Sequence, residues 1–446
     1  MKYLTFFLIL TSFALSNVIA AEAKGIGKGD GGCVRHVKKE SSTCANQGQC
    51  KSGQCGNQNK VSANDDGRSA LNEFSVPFFV RQFAENKDKN LIVSPFSARA
   101  AAQMAYFAAG TETRTQLAEG LLFPKAMSNQ DIAGHYNQFI KGLIKLRPGL
   151  SDDDVTQIRV ANAVFVNERF TLNPQYQAAL ASIHAMVRSG SFSDKKIVQE
   201  INDWVADQTN GKIKKLLSNL DESQRAVLVN ALWTKGKWYY PFAIEEDDTF
   251  SAIDGKKANL TMLKHPTYEG LMLRHYQGAD LEAVELPVRD GSVTFTVLLP
   301  AKDADFGAFV SGLTEERLKR LQQEFLEERG IVELPKFRVE MTMDLIPNLA
   351  QIIPLLFSEQ ADLSGMLAKS SGNLFITGAV QKTFIDVNKE GFEAAAATGM
   401  MAGATSVPPA PEFKFRADRP FVYYISKADG KREILFMGTF VKPEKK

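Results

Sequence analysis

The spacing of apolar residues changes along the chain from a helical period to an alternating one. From Ser69 onward, Leu71, Phe74, Phe78 and Phe83 recur at roughly helical spacing and predict an amphipathic helix, with Pro77 inside it as a point of kinking. A short apolar run at Leu91, Ile92 and Val93 meets Ser94-Pro95, a natural stop and helix start, and the alanine-rich stretch that follows predicts a closely packed helix ending at Gly110. Residues 131–147 predict another helix, with Tyr136, Phe139, Ile140 and Leu143 on one face and Lys141, Lys145 and Arg147 near its end, where cations complement the helix dipole. The alternation at 157–167 reads as a strand. In 198–217, Ile201, Trp204 and Val205 share a helical face, and Asn210-Gly211 stops the helix. Residues 226–242 form a largely apolar strand running into a turn, and beyond it come short alternating runs suited to antiparallel strands, broken by one helix at about 315–328. Helices first and strands second predict an α+β domain.

The two ends read differently. Residues 1–20 carry one lysine, an apolar run from Leu4 to Leu15 and small residues at the end, which is a secretory signal with cleavage near Ala20 or Ala21; the run is too short to span a bilayer. Residues 21–66 are polar and glycine-rich, cannot form a core, and hold all four cysteines, Cys33, Cys44, Cys50 and Cys55. In an oxidising compartment these make two local disulfides with three possible pairings, and no Cys-x-x-Cys spacing favours zinc. The GxGxxG spacing of Gly27, Gly29 and Gly32 lacks a preceding strand and carries no weight, and the basic patch Arg35, His36, Lys38, Lys39 reads as a solvated tail.

Composition then narrows the function. A chain of 446 residues with a formal charge of +2 has no general pull towards nucleic acid or an acidic surface. There is no Gly-x-Ser-x-Gly elbow, no P-loop and no His-Glu-x-x-His, and the five histidines, His36, His135, His184, His265 and His275, read as surface or satisfied core residues without metal spacing. Neither catalysis nor a cofactor is expected. A glycosylation sequon at Asn259-Leu260-Thr261 is expected in a surface loop.

What remains is residues 387–411, VNKEGFEAAAATGMMAGATSVPPAP, small and uncharged over its second half and closed by prolines. Such a stretch is a poor core former but slides between backbones without a clash, which reads as a protease bait that later becomes a strand. With NLIVSPFS (90–97), INDWVADQTNGKI (201–213), VNALWTKGKWYYPF (229–242), ADLSGM (361–366), and FRADRPFVYYI with ILFMGTFVKP near the end, the chain resembles the serpins over about 69–443. The resemblance implies three β-sheets, eight or nine helices and an exposed reactive-centre loop at about 388–411, within a domain spanning 67–446. It implies a hinge of Lys389, Glu390, Gly391, Phe392, Glu393, Ala394, Ala395, Ala396 and Ala397. It also implies a sheet-opening region comprising Ser94, Ser97, Asn230, Trp238, Lys336 and Gln381, and, counting from Gly391, a reactive bond at Thr405-Ser406, with the bonds after Met401 and Ala404 as neighbouring alternatives. In inhibitory members a serine protease attacks the loop, forms an acyl-enzyme, and is dragged across as the cleaved loop enters the largest sheet.

The expected function is therefore a secreted, extracellular, monomeric inhibitor that forms a covalent complex with a serine protease. With no Arg or Lys between Glu393 and Lys414, the target is elastase-like or chymotrypsin-like. Two departures from the family pattern, at Phe392 and Lys389, favour the alternative, a non-inhibitory carrier, storage or binding protein, and a third stands beside them. Phe392 replaces a small residue and is expected to overpack; Lys389 replaces a glutamate and is expected to approach Lys336, a like charge; and Gln381 replaces a histidine. Pro347 and Pro354 interrupt a segment that is usually a smoother helix.

Overall fold

Both periods read from the sequence survive as elements in the computed structural model, which describes residues 70–124, 127–143, 149–266, 270–368, 372–393 and 410–444. In chain order these are α1 (Ala70–Glu85), β1 (Leu91–Val93), α2 (Pro95–Tyr106), α3 (Thr111–Gly120), α4 (Asn129–Leu143), β2 (Gln157–Asn167), α5 (Pro174–Ala181), β3 (Met186–Gly190), α6 (Lys195–Gln208) and β4 (Ala226–Lys237). There follow β5 (Ile244–Ser251), β6 (Lys257–Lys264), β7 (Leu271–Gln277), β8 (Leu281–Pro287), β9 (Val293–Pro300), α7 (Phe306–Ser311), α8 (Glu315–Glu324), β10 (Leu326–Pro335), β11 (Phe337–Asp344) and α9 (Ile346–Leu349). The chain closes with β12 (Ile376–Asn388), β13 (Gly391–Phe392), β14 (Phe413–Arg416), β15 (Phe421–Lys427) and β16 (Ile434–Phe440).

Local chemistry sets the boundaries. The Ser94 hydroxyl accepts from the Ser97 amide (3.1 Å) and Pro95 opens α2 with a preset φ. Asp194 caps α6 through the Lys196 amide (2.9 Å), and α6 gives out before Asn210 and Gly211, both in left-handed conformation (φ 51° and 73°). Helix α1 runs through Pro77, which faces solvent. Pro347 leaves α9 only a single turn, and Pro354 opens a separate 3-10 turn.

Among the described residues, two hydrogen-bonded sheets carry the three expected ones. The first has six strands in the order β11-β12-β13-β4-β2-β3. The second has ten, and β10 joins its two parts: Leu326–Gly330 pairs with β7, Glu333–Pro335 with β6, and Gly330–Glu333 runs parallel to β14. The main core lies between the sheets and beneath α1 and α2, with Phe78, Phe295, Tyr423 and Phe436 fully buried. A smaller core sits under α6, where Ile197, Ile201 and Val205 cover Phe165, Val227 and Val229 on the outer face of the six-stranded sheet. Burial of this order of apolar surface is the main stabilising term.

Candidate functional site

Strands β4 and β12 run parallel and pair directly from Ile376↔Ala226 to Thr383↔Leu232. Beyond that point they part, and the hinge fills the fork. The chain turns at Lys389 and Glu390 and returns as β13, antiparallel to both neighbours: Phe392 lies opposite Val387 on one side and Gly236 on the other. The turn is fixed by the Glu390 amide donating to Asn388 Oδ1 (2.9 Å), the Trp238 amide to the Glu390 carbonyl (2.9 Å) and the Phe242 amide to the Lys389 carbonyl (2.9 Å). Trp238 Nε1 donates to the Asn388 carbonyl (2.9 Å). A Cβ on Gly391 would overlap the Gly236 carbonyl, so only glycine fits there.

Phe392 corrects the expectation of overpacking. Its ring is 0% exposed, edge-on to Trp238 (centroids 5.5 Å apart, 75°) and roughly stacked on Phe295 (6.4 Å, 26°). The space comes from Gly236, where a Cβ would lie 2.5 Å from Phe392 Cζ. The first core-facing residue of the hinge is thus already inside the sheet, in an aromatic box made for it.

Glu393 follows in left-handed conformation (φ 58°), its amide donating to the Asp386 carbonyl (2.6 Å). Its carboxylate is buried, with Lys212 Nζ 2.8 Å from Oε1 but off the direction of a hydrogen bond, and neither oxygen accepts one among the described residues. Burial raises its pKa to about 7 against the pull of Lys212 and Arg338, with Asp386 adding to the rise. Ala394, Ala395, Ala396, Ala397, Thr405 and Ser406 lie outside the described residues, as do Cys33, Cys44, Cys50 and Cys55.

At the closed end of the fork, Gln381 does by geometry what a histidine was expected to do. It accepts from the Ser94 amide (3.1 Å) and donates to the Ser94 carbonyl (3.0 Å) and Asn230 Oδ1 (3.0 Å). Asn230 Nδ2 donates in turn to the Ser97 hydroxyl and to Asn162 Oδ1 (2.7 Å), and Ser94 Oγ donates to the Leu435 carbonyl (2.7 Å). Five side chains on four elements and the last strand are tied here with no titrating group among them. Lys336 pairs with Glu245 of β5 (3.1 Å), an opposite charge, rather than facing Lys389, which is half-buried at the turn. Asn259 is exposed, but on strand β6 instead of in a loop, because its run pairs with the edge strand β5.

A second anchor, not read from the sequence, holds the strand beyond the bait. The Phe413 ring of β14 stacks on His275 (3.8 Å, 3°), whose Nδ1 and Nε2 meet Glu328 (2.8 Å) and Glu282 (3.1 Å). Burial pulls the imidazole pKa down, but the two carboxylates outweigh it and hold it above the ordinary value. His265 is a satisfied core residue: it stacks on Phe242 (4.2 Å), and burial lowers its pKa to about 4. Among the described residues no three His, Cys, Asp or Glu side chains gather as a metal would require, and no helix is long and apolar enough to cross a membrane.

Comparison with known proteins gives one family. The model described as serpin (serine protease inhibitor) matches residues 69–443. A serine protease inhibitor of Cyanea capillata is 31% identical over 385 residues, covering 83% of this chain and 97% of its own. The leukocyte elastase inhibitor of Bos taurus is 29% identical, covering 84% and 99%. The crystal structure of Serpin48, a highly specific serpin in the insect Tenebrio molitor, matches with a TM-score of 0.72 at 26% identity, over 86% of this chain and 99% of that one.

Proposed function

Because this chain belongs to the serpin family, we propose that it is a secreted serine protease inhibitor that acts once per molecule. The protease serine attacks the Thr405 carbonyl, the bond to Ser406 breaks, and the new amine of Ser406 departs with the proton, leaving Thr405 esterified to the enzyme. The freed loop then continues the strand begun by β13, parting β4 from β12 and carrying the acylated protease with it. One observation carries this reading: Gly391 and Phe392 are already paired on both sides in the fork, as the first two residues of that strand. The aromatic box around Phe392, which accommodates its ring, supports the inhibitor reading over the carrier. The leader at 1–20 and the exposed sequon at Asn259 support secretion.

The bait has no cation for a trypsin-like pocket, so an elastase-like or chymotrypsin-like enzyme is the target. Incubation with a protease panel tests this: an SDS-stable complex is expected with elastase-like or chymotrypsin-like enzymes. Efficient complex formation with trypsin and none with elastase sinks the specificity, and cleavage without any stable complex favours a carrier.

A further inference from the structure

The hinge stops two residues into the sheet, and the structure names what stops it. Pairing ends at Phe392; Glu393 keeps one hydrogen bond to β12 but turns the chain out of the strand direction through a left-handed conformation, disfavoured for a residue with a side chain. Its carboxylate is 5% exposed and lies against Lys212, on the segment that follows α6. That segment is tied to β12 just below the fork, where Lys382 donates to the Lys215 carbonyl (2.8 Å). To go further in, Glu393 must become extended and leave Lys212; to come out, it must carry its carboxylate into water.

We propose that Glu393 is the gate of the hinge, and that its protonation state decides whether Gly391 and Phe392 stay docked between β4 and β12 or swing free. The proposal rests on the inhibitor reading for its purpose, though not for its test. The charged groups facing Glu393 are Lys212 from the segment after α6, Asp386 from β12 and Arg338 from β11, with Lys235 of β4 lining the same cleft. The first-ranking influence is burial, which penalises the carboxylate, so the docked hinge holds its proton up to about pH 7, whereas a freed Glu393 has the ordinary value of 4.5. The sign follows: docking is fully favoured below about 4.5, weakens progressively as pH rises, and has lost this contribution by about 7. Between those values the ratio of docked to free hinge changes by at most about tenfold per pH unit. Glu393 is a positioning residue: a docked hinge shortens the span left to the bait, so acid withdraws the bait and neutral or alkaline medium presents it.

Trp238 reports the state directly, since Phe392 is packed against it. In the full uncleaved chain with Trp204→Phe and Trp233→Phe, Trp238 is the sole tryptophan. Its emission is expected to shift to the red as pH rises between about 4.5 and 7, and to change no further above 7. Glu393→Gln should abolish the step, and Lys212→Ala, which removes the cation that favours the docked carboxylate, should leave less docked hinge at pH 7 and above. Hydrogen exchange of peptides covering 388–393 in the otherwise unsubstituted chain gives the same comparison if the tryptophan background folds poorly, with faster corrected exchange expected above pH 7 in the parent only. A pH-independent parent, a step that persists in Glu393→Gln, or an undiminished docked signal at pH 7 and above in Lys212→Ala overturns the gate. None of these outcomes touches the formation of SDS-stable complexes, so failure of the gate and failure of the inhibitor reading are told apart.

Discussion

Gly236 and Phe392 share one volume at the centre of the candidate site. A methyl group on Gly236 would sit 2.5 Å from Phe392 Cζ and 3.1 Å from Val288, so Gly236→Ala must displace the ring or strain the strand, at roughly 1–3 kcal/mol. Phe392→Ala empties the box beside Trp238 and Phe295 and costs about 3–5 kcal/mol if the hinge stays docked. In Gly236→Ala/Phe392→Ala the added methyl enters the space the ring has left, so the pair should be clearly less destabilised than the two singles summed, by at least about 1 kcal/mol. Urea unfolding of the four proteins measures this, and strict additivity refutes the shared volume. The same pair explains a misreading. Taken alone, Phe392 is too large for a hinge, because the compensating glycine lies on another strand, distant in sequence, and no local pattern announces it. Lys336 misled in the same way: its partner, Glu245, is set by the pairing of β10 with β6 and β6 with β5.

Elements were legible where the signal is local. The alternation over 157–167 is β2 residue for residue, and Asn210-Gly211 ends α6 because both adopt left-handed backbone. The helix read to 328 stops at Glu324, since the following residues, helical by composition, pair with β7 from Leu326 onward; tertiary pairing overrides propensity there. Strand β14 was the least legible element that matters. Four residues long, it holds the far end of the bait, and its anchor gathers His275, Glu282 and Glu328 from three strands. The imidazole pKa is raised in the folded chain, so its contribution is fully present below the unfolded value of about 6.5 and is lost as pH rises through the folded value. His275→Gln is therefore expected to lower stability by about 1–3 kcal/mol near pH 6 and by progressively less at higher pH. Thermal melts of both proteins from pH 6 to 9 test it, and a difference that does not shrink with pH refutes a charged anchor. Hydrogen exchange in β14, corrected for its intrinsic rise with pH, should become faster with pH in the parent alone.

For the molecule as a whole, the inhibitor reading requires a large free energy to be released only after cleavage. A strand of about fifteen residues entering the fork bonds on both sides, while the direct pairing of β4 with β12 is given up, so the net gain is roughly one ladder, or about fifteen backbone hydrogen bonds. At about 0.5–1.5 kcal/mol each, this is on the order of 10 kcal/mol, comparable to the entire stability of many domains. The tie among Gln381, Ser94 and Asn230 joins β12 to β4 at the closed end of the fork, and on the inhibitor reading it resists their parting in the uncleaved protein. The small residues of the bait keep side-chain clashes out of the path, and the box around Phe392 has already accepted the one large side chain of the hinge. Cleaving the bait with any protease, without further change, should then raise the melting temperature by on the order of 20 °C, taking roughly 2 °C per kcal/mol for a chain of this size or somewhat smaller. Gln381→Ala should lower the melting temperature of the uncleaved protein far more than that of the cleaved one, because the tie resists an opening that has already taken place after insertion. An unchanged melting temperature after cleavage would mean that β13 is where the strand ends, and the inhibitor reading would fall with it.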